Sequence, residues 1–375
     1  MRCGSRELSC TFHRGVVKYV LLNDVREEVR EMAATLRDVA RLAGVSPGAV
    51  SQVLNGKPHR ISPETCEQIR QAAEQLRYVP NQNAVTLVTG QSQALGVVIP
   101  DIRNLFFAEL VSGVEAVALE TGWNIVITSS SDKSALALAN LRTLAARDVG
   151  AILLVPASDA DETLAMEYRQ AIRDYGRPVI QVDRIIQDLG VSLTAIHQRR
   201  GAKLAMEHLL DLGHRRVACV LGPTNTCAPR LSGVREACAQ WGIALRERDL
   251  YPGAYTMESG YAVADAILEG DYTAVFCFND MMAYGFYKRC RERGVSIPRD
   301  LSVMGFDGVL FSDYLEKPLS TVWQPARQLG VEAARQAFRE LECPEGAGKR
   351  TLLEPRLQIR ESTAPPVAGA VCWER

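Results

Sequence analysis

Apolar positions change spacing along the chain, and the change marks its organisation. From Thr35 to Tyr78 they recur at intervals of three and four, the spacing of helices; from Ala94 onward, short unbroken apolar runs alternate with stretches of helical spacing. The runs ALGVVIP, NIVITSS, AILLVP and PVIQVDR predict strands, with helices from about Phe106 to Glu120, Ala135 to Arg147 and Asp161 to Asp174 between them. The alternation then restarts. RVACVLG, AVFCFND and LSVMGFD predict strands, with helices near Arg199 to Leu212, Leu231 to Trp241, Glu258 to Glu269 and Met281 to Arg293. Such alternation implies parallel sheets covered on both faces, and two series imply two similar lobes with a cleft between them.

Open parallel sheets bind ligands beyond the carboxyl ends of their strands. The residues there are Asp101, Asn104, Phe106 and Phe107 after the first strand, Ser158 after the third, and Asp183 and Arg184 after the fourth. In the second lobe they are Thr224, Thr226 and Arg230, then Asn279 and Asp280, then Asp307. Aromatic rings beside planar hydrogen-bonding groups suit a sugar, nucleoside or other small polar ligand. For any one of these residues the plain alternative is a capping or loop role.

The segment from Thr35 to Asn55, TLRDVARLAGVSPGAVSQVLN, predicts a helix, a tight turn and a second helix. Thr35 can cap the first helix, and Asp38 puts negative charge in its first turn. Gly44 supplies the backbone freedom of the turn, Ser46 caps the next helix, and Pro47 takes the first helical position, where no N–H is required. Val39, Ala43, Val45, Val50 and Val53 are the residues two crossed helices would press together, with Ala40 small enough to let them approach. Ser46, Ser51, Gln52 and Asn55 then make a polar face suited to a DNA major groove, the alternative being an ordinary helical hairpin. Ser62-Pro63-Glu64 starts a third helix carrying Ile69, Ala72, Ala73 and Leu76, which ends near Arg77 and Tyr78.

Residues 80–92, PNQNAVTLVTGQS, form a linker. Asn81 can cap one or two turns carrying Ala84, Thr86, Leu87 and Val88, but β-branched residues and short length make a helix here dependent on a partner. Leu87 either packs on the next domain or wedges between base steps in a minor groove. Residues 1–31 match none of these patterns. Met32 stands directly before the helix-turn-helix, so a misassigned translation start is the expectation and a poorly ordered extra arm the alternative.

Composition narrows the function classes. The 375 residues, 47% hydrophobic and 23% charged, allow two or three domains of a soluble globular protein. With 43 Lys and Arg against 44 Asp and Glu, the whole chain is no general polyanion binder. Between Met32 and Ser92, however, Arg37, Arg41, Lys57, Arg60, Arg70 and Arg77 outnumber Asp38, Glu64, Glu67 and Glu74. The 10 cysteines show no C-x-x-C pair or zinc spacing, which suggests free, mostly buried thiols in a reducing cytoplasm. No apolar run approaches the roughly 20 residues of a membrane helix, and Val16 to Leu22, broken by Lys18, lacks the features of a signal peptide. Dinucleotide, P-loop, zincin and nucleophile-elbow motifs are absent, and His197, His208 and His214 have no nucleophile or metal partner at motif spacing. His208 and His214 are expected at the surface or a helix end. No catalytic constellation, cofactor or metal is predicted.

These segments together resemble the lactose repressor/galactose repressor (LacI/GalR) family over nearly the whole span from Thr35 to Pro366. The matches are TLRDVARLAGVSPGAVSQVLN, the YVPN-to-Leu87 hinge, LGVVIPDIRNLFFAEL, EHLLDLGHRRVACVLGP, FNDMMAYG, SVMGFD, PLSTVWQP and RESTAPP. The resemblance implies an all-α helix-turn-helix headpiece (32–79), a hinge helix (80–92) and an α/β, two-lobed effector and dimerisation domain similar to periplasmic binding proteins (93–363), with a short tail (364–375). It implies a homodimer on double-stranded operator DNA, controlled by a small-molecule effector. By position, Ser46, Ser51, Asn55, Tyr78 and Asn81 resemble phosphate-contacting or headpiece-orienting residues, and Gln52 stands at a base-reading position. Ala84 joins them in the hinge, and Leu87 matches the leucine that wedges the central minor groove. In the cleft Asn104, Phe106, Phe107, Ser158, Arg230, Tyr255, Asn279, Asp307 and Gln324 match ligand-touching positions, with Arg230 and Asp307 foremost.

The departures from the family pattern matter as much. Pro47 and Gly48 replace base-reading side chains, Ala49 a threonine, and Val85 the hinge arginine. His197-Gln198 stands where Asp-Asn is usual, and Gly308 follows Asp307 where a second polar residue is typical, so a standard hexose does not follow from the pattern. The tail has no heptads, which predicts a dimer rather than a tetramer. The expected function is a ligand-responsive transcriptional repressor with a small polar, sugar-like effector, the alternative being a regulator with a nucleoside/purine or protein effector. A solute-binding protein and an α/β enzyme with an added headpiece are the rivals, and the helix-turn-helix and the missing catalytic motifs argue against them.

Overall fold

Among the described residues, Thr35 caps the first helix. Its hydroxyl accepts from the Asp38 amide at 3.3 Å while the Thr35 amide donates to the Asp38 carboxylate at 3.0 Å, a reciprocal cap on α1 (Leu36–Leu42). Hydrogen bonds from Thr35 hold the Asp38 carboxyl below its ordinary pKa. Gly44, with φ of +67°, turns the chain into α2 (Pro47–Leu54), where Ser46 Oγ accepts from the Ala49 amide at 3.2 Å. Ser62 caps α3 (Pro63–Gln75) in the same way. Val39, Ala40, Val50, Val53, Cys66, Ile69, Ala72 and Ala73 are buried between the three helices, with Ala43, Val45 and Tyr78 packed at the margin.

The computed structural model describes residues 34–54, 60–78, 92–160 and 162–367. The chain divides into two units, Met1–Gly90 and Gln91–Arg375. Asn55, Asn81, Ala84, Val85 and Leu87 lie outside the described residues, as do residues 1–33.

The second unit holds two sheets of like construction. The first has strand order β11-β5-β4-β3-β1-β2 and is parallel throughout: β1 (Ala94–Ile99), β2 (Asn124–Ser129), β3 (Ala151–Leu154), β4 (Val179–Val182), β5 (Ser192–Ile196) and β11 (Arg350–Leu353). Helices α4 (Leu105–Glu120), α5 (Ser134–Ala146) and α6 (Glu162–Tyr175) cover it. Along β1, Leu95, Val97 and Ile99 enter one hydrophobic cluster and Val98 the other, so both faces are sealed.

The second sheet runs β12-β10-β9-β8-β6-β7, parallel except for the β10–β12 pair. Its strands are β6 (Val217–Val220), β7 (Leu250–Tyr251), β8 (Ala274–Cys277), β9 (Ser302–Asp307), β10 (Ser320–Trp323) and β12 (Arg356–Gln358). Around it lie α7 (Gln198–Asp211), α8 (Thr224–Gln240), α9 (Met257–Ala262), α10 (Ala264–Leu268) and α11 (Asp280–Glu292). α12 (Ala326–Glu342) returns to pack on α4 in the first lobe. The chain thus crosses between lobes three times, after Ile196, after Trp323 and after Leu353.

Several details differ from the sequence reading. The helix expected from Leu231 begins at Thr224, because Pro229 is accommodated inside it. The helix expected from Glu258 to Glu269 breaks at Val263 into α9 and α10. β5, β7, β10, α12, β11 and β12 are not among the predicted elements. His214 does follow a helix end, but it is buried rather than at the surface.

Candidate functional site

Two places in the chain gather the predicted residues, one in each unit. In the headpiece, Ser46 and Gln52 are exposed and Ser51 and Tyr78 half-buried. Val50 and Val53 anchor α2 from beneath, so the turn-facing end of this helix, Ser46 to Ala49, and Gln52 stay at the surface. Pro47 and Gly48 offer no hydrogen-bonding side chain there, which leaves Gln52 as the planar amide able to read a base edge.

In the second unit, both sheets have a point where successive strands go to opposite sides: β1 lies between β2 and β3, and β6 between β7 and β8. The loops leaving β1 and β6 therefore diverge from those leaving β3 and β8, opening a crevice at the carboxyl ends of the strands. The two crevices face one cavity of about 1090 Å³. Asn104, Phe106 and Phe107 line it from the first lobe, and Arg230, Tyr255, Asn279 and Asp307 from the second. Ser158 is not in the lining. Its hydroxyl donates to Asp132 at 2.7 Å, and Asp132 in turn is ion-paired with Arg184, which is in the lining. Gln324 lies behind the floor, donating to the Asp307 carboxylate at 2.7 Å and lining an adjoining cavity of about 560 Å³.

Some of these side chains are already committed to their own backbone. Asn104 caps α4 through the Phe106 amide at 3.1 Å. Asn279 caps α11 through the Met282 amide at 2.9 Å and donates to the Tyr255 carbonyl at 3.1 Å. Both therefore present rigid amides to the cavity.

The polar centre is Arg230. Its Nε donates to Gln198 Oε1 at 2.7 Å, its Nη1 to the Phe278 carbonyl, and its Nη2 lies 3.6 Å from Asp307 Oδ1. Phe306 lies 3.9 Å and Tyr255 5.5 Å from its guanidinium, measured to the ring centroids. Gln198, which the family resemblance marked only as a departure, also donates to Asp183 at 3.1 Å and to Gln324 at 2.8 Å. Burial pushes the carboxyls of Asp183 and Asp307 up from their ordinary pKa, against the pull of Arg184 and Arg230 on Asp183 and of Arg230 on Asp307. Asp307 is raised further by Asp280 and Asp183 nearby. Burying such pairs contributes little net stability, and removing one partner typically costs about 3–5 kcal/mol.

The backbone is strained at the same place. Asp183, Tyr255 and Asp307 hold φ of +62°, +58° and +123°, and Asp132 behind Arg184 holds +56°. Each such residue costs on the order of 1–3 kcal/mol, and such strain clusters where side chains must be aimed. The sequence reading placed Asp183 and Arg184 after the fourth strand but left them out of its effector set. The signal for them was the left-handed turn that follows β4, which a strand-end count does not reveal.

No described helix is long and apolar enough to cross a membrane. Among the described residues no group of His, Cys, Asp and Glu could hold a metal ion. The described cysteines are free thiols, buried except Cys343.

Comparison with known proteins follows the same two units. The family model described as "Bacterial regulatory proteins, lacI family" matches residues 35–81, and that described as "Periplasmic binding protein-like domain" matches residues 206–363. The chain is 33% identical over 309 residues to the HTH-type transcriptional repressor PurR of Vibrio atlanticus, covering 80% of this chain and 90% of that one. Among solved structures it is similar to the transcriptional regulator CelR–cellobiose complex, with 30% identity, TM-score 0.66 and coverage of 88% and 99%. It is also similar to the Lac repressor dimer bound to operator and the anti-inducer ONPF, with 26% identity, TM-score 0.79 and the same coverage.

Proposed function

The chain belongs to the lacI family of bacterial regulatory proteins, and from that premise we propose that it represses transcription as a homodimer released from or locked onto its operator by a polyhydroxy effector. It is a DNA-binding transcriptional regulator, not an enzyme. The observation that carries the effector reading is the cleft. The buried or nearly buried guanidiniums of Arg184 and Arg230, the buried carboxyls of Asp183 and Asp307, and the rings of Phe107 and Tyr255 line one cavity between lobes that the chain crosses three times. Hydroxyl groups on a ring satisfy such donors and acceptors, and the aromatic rings cover its apolar face. The cellobiose bound by the similar regulator supports the same class.

The DNA contacts proposed are Ser46, Ser51, Gln52, Asn55 and Tyr78 in the headpiece, with Asn81, Ala84 and Leu87 in the hinge at residues 80–92. A second copy of the chain would cover the exposed Leu310, Phe311 and Tyr314 that follow β9. The test is selection of bound duplexes from a random pool by the purified chain, followed by titration of the winning sequence. A near-palindrome is the expected product, and Leu87→Ala should weaken its binding at least tenfold while effector binding is unchanged. A pool with no enriched sequence would end the operator reading, and full affinity in Leu87→Ala would end the wedge.

A further inference from the structure

Arg184 is a guanidinium of the cleft lining that is nearly buried and left, among the described residues, with an unpartnered Nε–Nη2 edge. Its side chain is 11% exposed, and it belongs to the first lobe, just past β4. Nη1 is fully used, donating to Asp132 and, at 3.2 Å, to the Pro156 carbonyl. A guanidinium has five N–H groups. The Nε–H and the two on Nη2 have no hydrogen-bond partner among the described residues. Nor are those atoms sealed away, since the only buried side-chain polar atoms without a partner among the described residues are Ser134 Oγ and Thr194 Oγ1. Arg184 itself lines the cleft.

The surroundings select what can meet that edge. Phe107 from the first lobe and Tyr255 from the second stand with ring centroids 5.6 and 5.8 Å from the guanidinium carbon. Both rings are thus close enough to pack beside a ligand that meets the guanidinium. Two parallel N–H groups, one from Nε and one from Nη2, match the two coplanar oxygens of a carboxylate. Asp132 pins the other side of the group, so little side-chain entropy remains to be lost when an anion docks.

We infer that the effector is a polyhydroxy acid whose carboxylate is gripped by the Nε–Nη2 edge of Arg184, while its hydroxyl groups face Arg230, Asp183 and Asp307. This rests on the polyhydroxy-effector reading and names the group that distinguishes the ligand from a neutral sugar. Arg184 is then a specificity residue, not a strut for Asp132 and Ser158.

Calorimetric titration of the full chain with matched sets tests it: glucose, glucuronate and glucose 6-phosphate, then the galactose and ribose counterparts with galacturonate and ribonate. In the responding set the acid should bind at least tenfold tighter than its neutral parent and its phosphate. Arg184→Gln should bring acid and parent within threefold, and Arg184→Lys, which keeps the charge without the fork, should restore only part of the preference. A purely structural role would lower stability without moving that ratio. A neutral parent within threefold of its acid, a phosphate that binds tightest, or an unchanged ratio in Arg184→Gln would overturn the inference and leave the polyhydroxy effector standing. Silence from every member would overturn the polyhydroxy reading itself. Should Arg184→Gln fail to fold, the wild-type ratio decides.

Discussion

His214 is 1% exposed, with Nδ1 2.9 Å from Thr273 Oγ1 and Nε2 3.0 Å from the Ala364 carbonyl. A carbonyl only accepts, so Nε2 carries the proton and Nδ1 accepts from the threonine. A second proton would have to displace that hydroxyl hydrogen in a dry site, and burial accordingly depresses the imidazole pKa from 6.5 to about 4. Above pH 6.5 neither the folded nor the unfolded chain protonates this residue and it has no effect on the pH dependence. Between pH 6.5 and 4 only the unfolded chain takes up the proton, so stability falls as pH falls, by up to about 3 kcal/mol across the window. His214→Gln should be less stable at pH 7.5 yet lose less between pH 6.5 and 5, measured by urea midpoints. A wild-type slope in the variant would refute this account. The caps at Thr35, Ser46 and Ser62 were legible because each acts within three residues. His214 was not, because its acceptor lies 150 residues further along the chain.

Helix pairs in the second unit close on glycine. A Cβ at Gly113 in α4 would stand 2.0 Å from the Arg327 carbonyl oxygen of α12, and one at Gly330 in α12 would stand 2.0 Å from the Leu110 carbonyl oxygen of α4. The contact is reciprocal and backbone to backbone, so no side chain can turn aside to make room. Gly113→Ala should therefore force α4 and α12 apart and cost about 1–3 kcal/mol, as overpacking does. Equilibrium urea unfolding measures this, and an unchanged midpoint would mean the pair is looser than its geometry. α12 escaped the sequence reading because small and polar residues break up its buried face: Gly330, Ala333, Ala334, Gln336, Ala337 and Glu340 are buried there beside Leu329. β5 escaped for a related reason, since Ser192 and Thr194 are as buried as Leu193 and Ala195. The strands that were legible, such as β1 and β3, are apolar runs covered on both faces, the one pattern a parallel sheet imposes on sequence.

At the scale of the whole effector unit, the three crossings between lobes are tied to one another and to the cleft floor. The first and third are joined by Glu354, whose carboxylate lies 3.5 Å from His197 Nε2 and 2.9 Å from Arg200 Nη1. The first and second are joined by the Gln198 amide donating to Gln324 at 2.8 Å. Gln198 also receives the Arg230 Nε and donates to Asp183, and Gln324 holds Asp307, so the floor residues of both lobes meet through a single amide at the hinge. The cleft residues were partly legible as strand ends, but this closure was not, because it depends on how three distant crossings meet. An effector changes DNA affinity only by preferring one lobe arrangement over the other, and such coupling is typically about 1–3 kcal/mol, or about 5–150-fold. Gln198→Met keeps the length of the side chain and removes every bond of the amide. It should leave operator affinity without effector nearly unchanged but shrink the effector-induced change to less than about threefold, against the 5–150-fold range usual for such coupling. Fluorescence anisotropy on labelled operator, with and without saturating effector, separates the two quantities. Retained coupling in Gln198→Met would place the transmission elsewhere, with the Glu354 contacts to His197 and Arg200 the next to cut; lost coupling with intact effector binding would mark Gln198 as the link between an occupied cleft and a moving hinge.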